Sequence, residues 1–469
     1  MKLLVALLFL TFSAVFAQNG PQERFFTQPL NHHVNMNHKW EQRYFVNKDH
    51  FLIGGPIFIY VGKGFEYFET MYRGEVFDFS KSLNGIMFAL EHRFYGASRP
   101  STDVSHTSLE HLTVEQALAD IAEFIQYIKD FYPGTEDSKV ILYGEEYGAA
   151  LAVWARQKYP HLVTGVWASS AYISPKINHQ QMAVRLGEAF KRIGGQECYD
   201  VLENAFRTIE ILVWLNDTQT IKESLKQCKD LDTEDPTEVS WLFLNLVQVI
   251  QDFVKYASYG QLEESCDKLV ANASNDKYFE SFSSWLRFEV QPNVFCQNFN
   301  YKDMVHSYSQ WQWETAGTAG GARQTMWLHC NQLGQFATSD ANGQHPFGHK
   351  FDLSVFQKFC NELFPNHRLV EENKKLNTTY GDLNPAVTNV FFTNGEFDPK
   401  LELGLTKKDT NAEVVVIPLH TAGKDLKAST PSDNPALKRV KTQAKSNMLK
   451  WILNLATETE AMEILLSKH

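Results

Sequence analysis

The residues whose types and spacing could do chemistry are Gly144-Glu145-Glu146-Tyr147-Gly148. They follow the apolar run Val140-Ile141-Leu142-Tyr143 and precede a helix-forming run from Ala149 to Ala155. A strand, a glycine-framed turn and a helix in that order have the layout of a nucleophile elbow, a sharp turn that lifts one side chain clear at the end of a sheet. The two glycines remove side chains where strand and helix come close. Glu146 sits at the centre. A carboxylate can attack an electrophilic carbon, but it has no hydroxyl from which to build a serine ester.

On such an elbow the remaining groups follow along the chain as acid, then base. Asp398, after Val390-Phe391-Phe392 and before Pro399, stands where the acid belongs. An ordinary turn aspartate fits the same local sequence, because Asp-Pro often starts turns. The base should follow the last apolar strand, at 414–418, which puts it within Leu419-His420-Thr421-Ala422-Gly423-Lys424-Asp425. His420 could serve as a base for a carboxylate nucleophile, or could be a surface histidine at a strand end. Glu146 could instead pair with a cation, and Arg93 and Lys63 are the candidates by chain position. Ser169 and Ser170 end a different strand, with no elbow spacing around them. His32, His33 and His38 lie close together, but Asn-rich polar turns before a strand are common. No metal and no cofactor is expected.

Stepwise along the chain, apolar runs at 40–46, 57–61, 86–90 and 163–168 read as strands, and 112–131 as a long amphipathic helix ended by Pro133-Gly134. Strands alternating with helices predict an α/β fold with a parallel, doubly wound sheet. Gly62 and Gly64 follow the 57–61 strand, either as a plain turn or as a loop supplying an oxyanion-hole N–H. From 172 to 380 helical periodicity takes over, as in 242–256. The domain reading is therefore a sheet domain of 18–171 and 381–469, interrupted by a helical insertion at 172–380. A terminal helix is predicted at 437–455.

Hydrophobic residues make up 43% of the 469 residues and charged residues 21%, as in an ordinary globular protein. The net charge of -11 argues against nucleic acid and anionic membrane as partners. Residues 1–17, MKLLVALLFLTFSAVFA, have a Lys, an apolar run and an Ala at the end. They read as a secretory signal cleaved near Ala17, a membrane anchor being the alternative. Export makes disulfides the expected state of the six cysteines, Cys198, Cys228, Cys266, Cys296, Cys330 and Cys360, none of which forms a C-x-x-C pair. Asn216, Asn272 and Asn377 lie in glycosylation sequons.

Motifs spread along the chain carry a resemblance. They are Gln28-Pro29-Leu30 with Gln42-Arg43-Tyr44-Phe45, Gly54-Gly55-Pro56-Ile57, Glu91-His92-Arg93-Phe94-Tyr95-Gly96, Leu112-Thr113 with Glu115-Gln116-Ala117-Leu118-Ala119-Asp120, and Lys158-Tyr159-Pro160-His161-Leu162. Later come Trp327 with Cys330, Asn394-Gly395 with Asp398-Pro399, and Pro431-Ser432-Asp433. In this order they resemble the family of Pro-Xaa carboxypeptidase, dipeptidyl peptidase II and thymus-specific serine protease. The resemblance implies an α/β-hydrolase fold with a helical insertion, and an exported or lysosomal serine exopeptidase that cleaves beside proline.

The departures fall on the chemistry. The family elbow is Gly-Gly-Ser-Tyr-x-Gly, so the resemblance puts Glu145 at the second Gly, Glu146 at the Ser and Ala149 at the last Gly. It puts Ala422 at the base position and retains Asp398 as the acid. Lys400 stands where the family usually has Trp, which also weakens an expectation of proline specificity. Loss of a triad nucleophile costs roughly 10⁶-fold in kcat. The expected function is a secreted peptidase-like protein without catalysis, binding a peptide or protein in a cleft between the domains. The alternatives are an active hydrolase or prolyl exopeptidase using Glu146 and His420, and a structural or storage glycoprotein. The cysteine pairs expected are Cys198–Cys266, Cys228–Cys296 and Cys330–Cys360. Secretion or routing to lysosomes, and a homodimer, are left open.

Overall fold

Four apolar runs with no alternation form the centre of the sheet, because their strands are covered on both faces. A computed structural model describes residues 20–34, 37–63, 69–315, 317–318, 320–339, 344–407, 412–420, 425–431 and 433–467. The expected leader at 1–17, Gly64 and Ala422 lie outside the described residues. The strands are β1 (Gln22–Pro29), β2 (Lys39–Asn47), β3 (Ile57–Val61), β4 (Ile86–Leu90), β5 (Val140–Glu145), β6 (Gly165–Ser169), β7 (Asn178–His179), β8 (Phe336–Ala337), β9 (Val390–Gly395) and β10 (Glu413–Ile417). The main sheet runs β1-β2-β4-β3-β5-β6-β9-β10, and β7 pairs with β8 alone.

From β4 to β10 every neighbour is parallel. At the other edge β1, β2 and β4 pair antiparallel, so the sheet is mixed and the expected fully parallel sheet stops at β4. Every residue of β3, β5, β6 and β9 is buried. Alternate residues feed two cores. Ile57, Ile59 and Leu142 point to the side covered by the helices Val114–Phe131 and Glu146–Lys158. Phe58, Tyr60, Ile141 and Tyr143 point to the side covered by Glu75–Ser82, Pro435–Leu453 and Glu458–Ser467. This is an α/β-hydrolase architecture.

Local signals explain the helix limits. The Thr113 hydroxyl accepts from the Gln116 N–H and starts Val114–Phe131. Asn434 caps Pro435–Leu453, with Pro435 in the first turn, where its missing N–H costs nothing. The helix Glu458–Ser467 beyond it was not expected from the sequence.

Between β6 and β9 the chain is mainly helical. Its longer helices are Gln181–Trp214, which kinks at Gly195, then Pro236–Tyr256, Tyr259–Asn272, Leu353–Leu363 and Leu369–Tyr380. Three disulfides lie in this segment. Cys198–Cys266 and Cys228–Cys296 each span 68 residues, and Cys330–Cys360 spans 30. Asn216 and Asn272 are exposed. Asn377 differs: its Nδ2 donates to the Pro175 carbonyl at 3.0 Å, so its amide is already engaged. Among the described residues no helix is long and apolar enough to cross a membrane.

Candidate functional site

The turn after β5 is tight because β3 presses against it. A Cβ on Gly144 would stand 2.5 Å from the Val61 carbonyl oxygen, and one on Gly148 only 2.2 Å. Both are far inside van der Waals contact, so only glycine fits at either position. Glu146 between them has φ +52°, in the left-handed region that an L-residue enters at a cost of about 1–2 kcal/mol. A strained non-glycine residue at the tip of a strand-to-helix turn is the geometry of an elbow that displays one side chain.

The Glu91-to-Gly96 motif supports this turn from below. His92 lies deep in the protein and its Nδ1–H donates to the Arg93 carbonyl at 2.8 Å. Nε2 is therefore the acceptor for the Tyr147 hydroxyl at 3.2 Å. Burial pushes the His92 imidazole down to about 4, so it stays neutral and keeps that role. Glu91 in turn receives Arg43 Nη2 at 2.6 Å and the Ser98 N–H at 3.0 Å.

The Glu146 carboxylate meets a cation from the far side of the cleft. Lys255, near the end of Pro236–Tyr256, places Nζ 2.5 Å from Glu146 Oε1. Both side chains are about four-fifths covered, with 19% and 23% of their surface exposed. Burial alone would raise the Glu146 carboxyl, but Lys255, Lys400 and Lys63 outweigh it and hold the group below its ordinary range. Glu146 is therefore ionised and paired.

Asp398 lies close by, on the turn after β9, and is fully buried. Its Oδ1 accepts the Lys400 N–H at 2.9 Å and the Tyr172 hydroxyl at 3.3 Å. Its Oδ2 is buried with no hydrogen-bond partner of good geometry among the described residues, the Ser170 side chain being near enough only to favour ionisation weakly. Burial, reinforced by the Glu146 charge, pushes the Asp398 carboxyl up to about 6. Lys400 is pushed down to about 8 by burial, with Glu146 acting the other way.

The structure thus brings Glu146 and Asp398 to one site with Lys400, which the sequence marked only as a replacement for Trp, and adds Lys255, which sequence reasoning did not assign to it. Arg93, expected as a partner for Glu146, is not one. Its Nε and Nη2 each reach Asp120 at 2.6 Å, and it also donates to the Leu30 and His111 carbonyls. A guanidinium with a bidentate carboxylate already in hand has no reason to cross to the elbow. Lys63 does line the pocket beside Glu146. His420 lies on the loop after β10, where its carbonyl accepts the Phe397 N–H at 2.9 Å, next to the turn carrying Asp398. Ser169 sits beside Glu145 in the sheet register, and its hydroxyl is taken up by Asp425, to which it donates at 2.6 Å. His32 pairs with Asp120 at 2.7 Å, and among the described residues no three His, Cys, Asp or Glu side chains are grouped to hold a metal.

With this geometry in view, comparison with known proteins is decisive about kinship. The chain matches the family described as serine carboxypeptidase S28 over residues 28–444. It belongs to that family. Thymus-specific serine protease of Mus musculus is 26% identical over 456 residues, covering 93% of this chain and 88% of that protein. Lysosomal Pro-X carboxypeptidase is 28% identical over 445 residues in Mus musculus, covering 88% of this chain and 86% of that protein. The Bos taurus protein of that name is 27% identical over 459 residues, covering 92% and 87%.

Proposed function

We propose that this chain is an exported member of the S28 family that has lost serine-peptidase chemistry and binds a peptide or protein segment in the cleft above the elbow. In this reading Glu146 occupies the nucleophile position, Asp398 the acid position and Ala422 the base position. The observation that carries the proposal is the Glu146 carboxylate at the tip of the strained turn, 2.5 Å from Lys255 Nζ. A carboxylate held in an ion pair is a poor nucleophile, and it cannot pass through a serine ester at all.

The buried Asp398 Oδ2, with no good partner among the described residues, agrees with an acid that has no imidazole to orient. The three disulfides and the sequence of residues 1–17 support export, and a lysosomal destination fits the same features. The test is hydrolysis of a panel of proline-containing fluorogenic peptides by the purified protein and its Glu146→Ala variant, from acid to neutral pH. No turnover by either protein is the expected result. Turnover that Glu146→Ala abolishes would overturn the reading and make the carboxylate the nucleophile.

A further inference from the structure

The end of the helix Gln181–Trp214 leaves large apolar side chains in water. Ile211, Trp214 and Leu215 are 49%, 82% and 58% exposed. Their spacing of i, i+3 and i+4 puts them on one face of the last turn, so they form a single patch. Apolar residues scattered singly over a surface need no explanation, whereas a contiguous patch marks a place that something covers.

The chain itself supplies a cover. Asn216, the next residue, heads the sequon Asn216-Asp217-Thr218. It stands just past the helix with φ +55°, a left-handed conformation that asparagine tolerates better than most side chains. Two backbone bonds lock this turn. The Asn216 N–H donates to the Val213 carbonyl at 3.1 Å and the Asp217 N–H to the Leu212 carbonyl at 2.9 Å. Asp217 then caps the helix Thr218–Leu225 by accepting the Thr220 N–H at 3.1 Å. The Asn216 backbone is thus fixed beside the patch. Its amide is oriented as well: Oδ1 accepts the Thr233 hydroxyl, and among the described residues Nδ2 donates to nothing. Nδ2 is the atom that carries an N-linked glycan. The other two sequons differ. Asn377 Nδ2 is engaged by the Pro175 carbonyl. Asn272 is exposed, but one turn back its helix offers a charged Lys268 and a buried Leu269.

We propose that Asn216 carries an N-linked glycan whose first N-acetylglucosamines lie over Trp214, Leu215 and Ile211 and keep that face out of water. The inference rests on the reading of the chain as exported, because the sugar donor, an oligosaccharyl pyrophosphate lipid, belongs to the secretory pathway. In the transfer the donor's C1–O bond breaks and a C1–N bond to Nδ2 forms. The pyrophosphate lipid leaves and one amide proton is lost. One face of a pyranose is lined with C–H groups, which bury apolar area against an indole ring as a hydrocarbon would. Leu215 and Trp214 are one and two residues from Asn216, so their Cα atoms lie at most about 7 Å from its own, within reach of the first two sugars.

The test expresses the full-length chain with its own leader in eukaryotic cells and purifies it from cells and medium. Two variants accompany it: Thr218→Ala, which removes the Asn216 sequon and leaves Asn216 in its turn, and Ser274→Ala, which removes the Asn272 sequon. Each is made with and without Trp214→Ser and checked for folding by circular dichroism. Glycopeptide masses report occupancy, and ANS fluorescence reports exposed apolar surface. Glycan at Asn216 is expected, with ANS fluorescence raised roughly twofold in Thr218→Ala and unchanged in Ser274→Ala. Trp214→Ser should remove most of the rise. A bare Asn216 beside an occupied Asn272 would overturn the proposal and leave export standing. Failure of export, with every sequon bare, would overturn both. An ANS signal in Thr218→Ala equal to wild type, or a full rise that survives Trp214→Ser, would also overturn the proposal. So would a glycosylated dimer that Trp214→Ser splits into monomers in sedimentation velocity, which would give this face to a second copy of the chain.

Discussion

Replacing Glu146 by Ala and by Gly separates two opposed contributions at the elbow. Both variants lose the ion pair with Lys255. Exposed ion pairs contribute about 1 kcal/mol or less, and removing one partner of a fully buried pair costs about 3–5 kcal/mol. With 19% and 23% of the two side chains exposed, the loss should lie between, at about 1–2 kcal/mol. Ala keeps the left-handed strain imposed by φ +52°, whereas Gly relieves it. Part of that relief is offset by the greater freedom of an unfolded glycine, which leaves Gly ahead of Ala by about 1 kcal/mol. Urea unfolding followed by tryptophan fluorescence should rank wild type highest, then Glu146→Gly, then Glu146→Ala. In thermal melts the steps are only roughly 1–2 °C for a chain of this size, so denaturant is the better assay. An Ala variant as stable as the Gly variant would refute the strain. An Ala variant as stable as wild type would refute the ion pair.

Other consequences of the same site can be checked independently. Asp398 has a folded-state pKa raised to about 6 from 3.8, so the native state holds the extra proton, and the stability tied to it is complete below about 3.8 and is lost as pH rises through 6. Thermal melts of Asp398→Asn against wild type should therefore diverge in favour of the variant above pH 6 and converge near pH 4. Glycopeptide mass spectrometry of protein expressed through a eukaryotic secretory pathway should find glycan at the exposed Asn216 and Asn272 but not at Asn377, whose amide already bonds to Pro175; high occupancy of Asn377 would contradict its placement.

The centre of the fold was legible because strands buried on both faces leave continuous apolar runs, as at 57–61 and 140–143. The first strand was not. Gln22–Pro29 is mostly polar and buries only Phe26 and Gln28, since it is an edge strand with one face in solvent. Its antiparallel pairing with Lys39–Asn47 is equally invisible in local sequence, so the sheet was expected to be parallel throughout. Glu146 and Asp398, which the structure places near one another, were legible as candidates because each belongs to a turn with its own signature. Lys255 was missed because it is one basic residue at the end of an amphipathic helix, and such residues are usually solvated. What makes it a site residue is the packing of the helical segment over the sheet, which no spacing encodes. Arg93 shows the converse: it is near the elbow in the chain order of the sheet, yet Asp120, 27 residues later on Val114–Phe131, claims it first.

The most direct test of lost serine chemistry is labelling with a fluorophosphonate, which reacts covalently with an activated serine and needs no knowledge of the substrate. The purified protein would be incubated with excess reagent from pH 5 to 8, and its intact mass read before and after deglycosylation. The expected result is an unchanged mass, with the peptide containing Gly144 to Gly148 recovered unmodified. A single stoichiometric adduct on any serine would contradict the central claim and reveal an active nucleophile elsewhere in the chain.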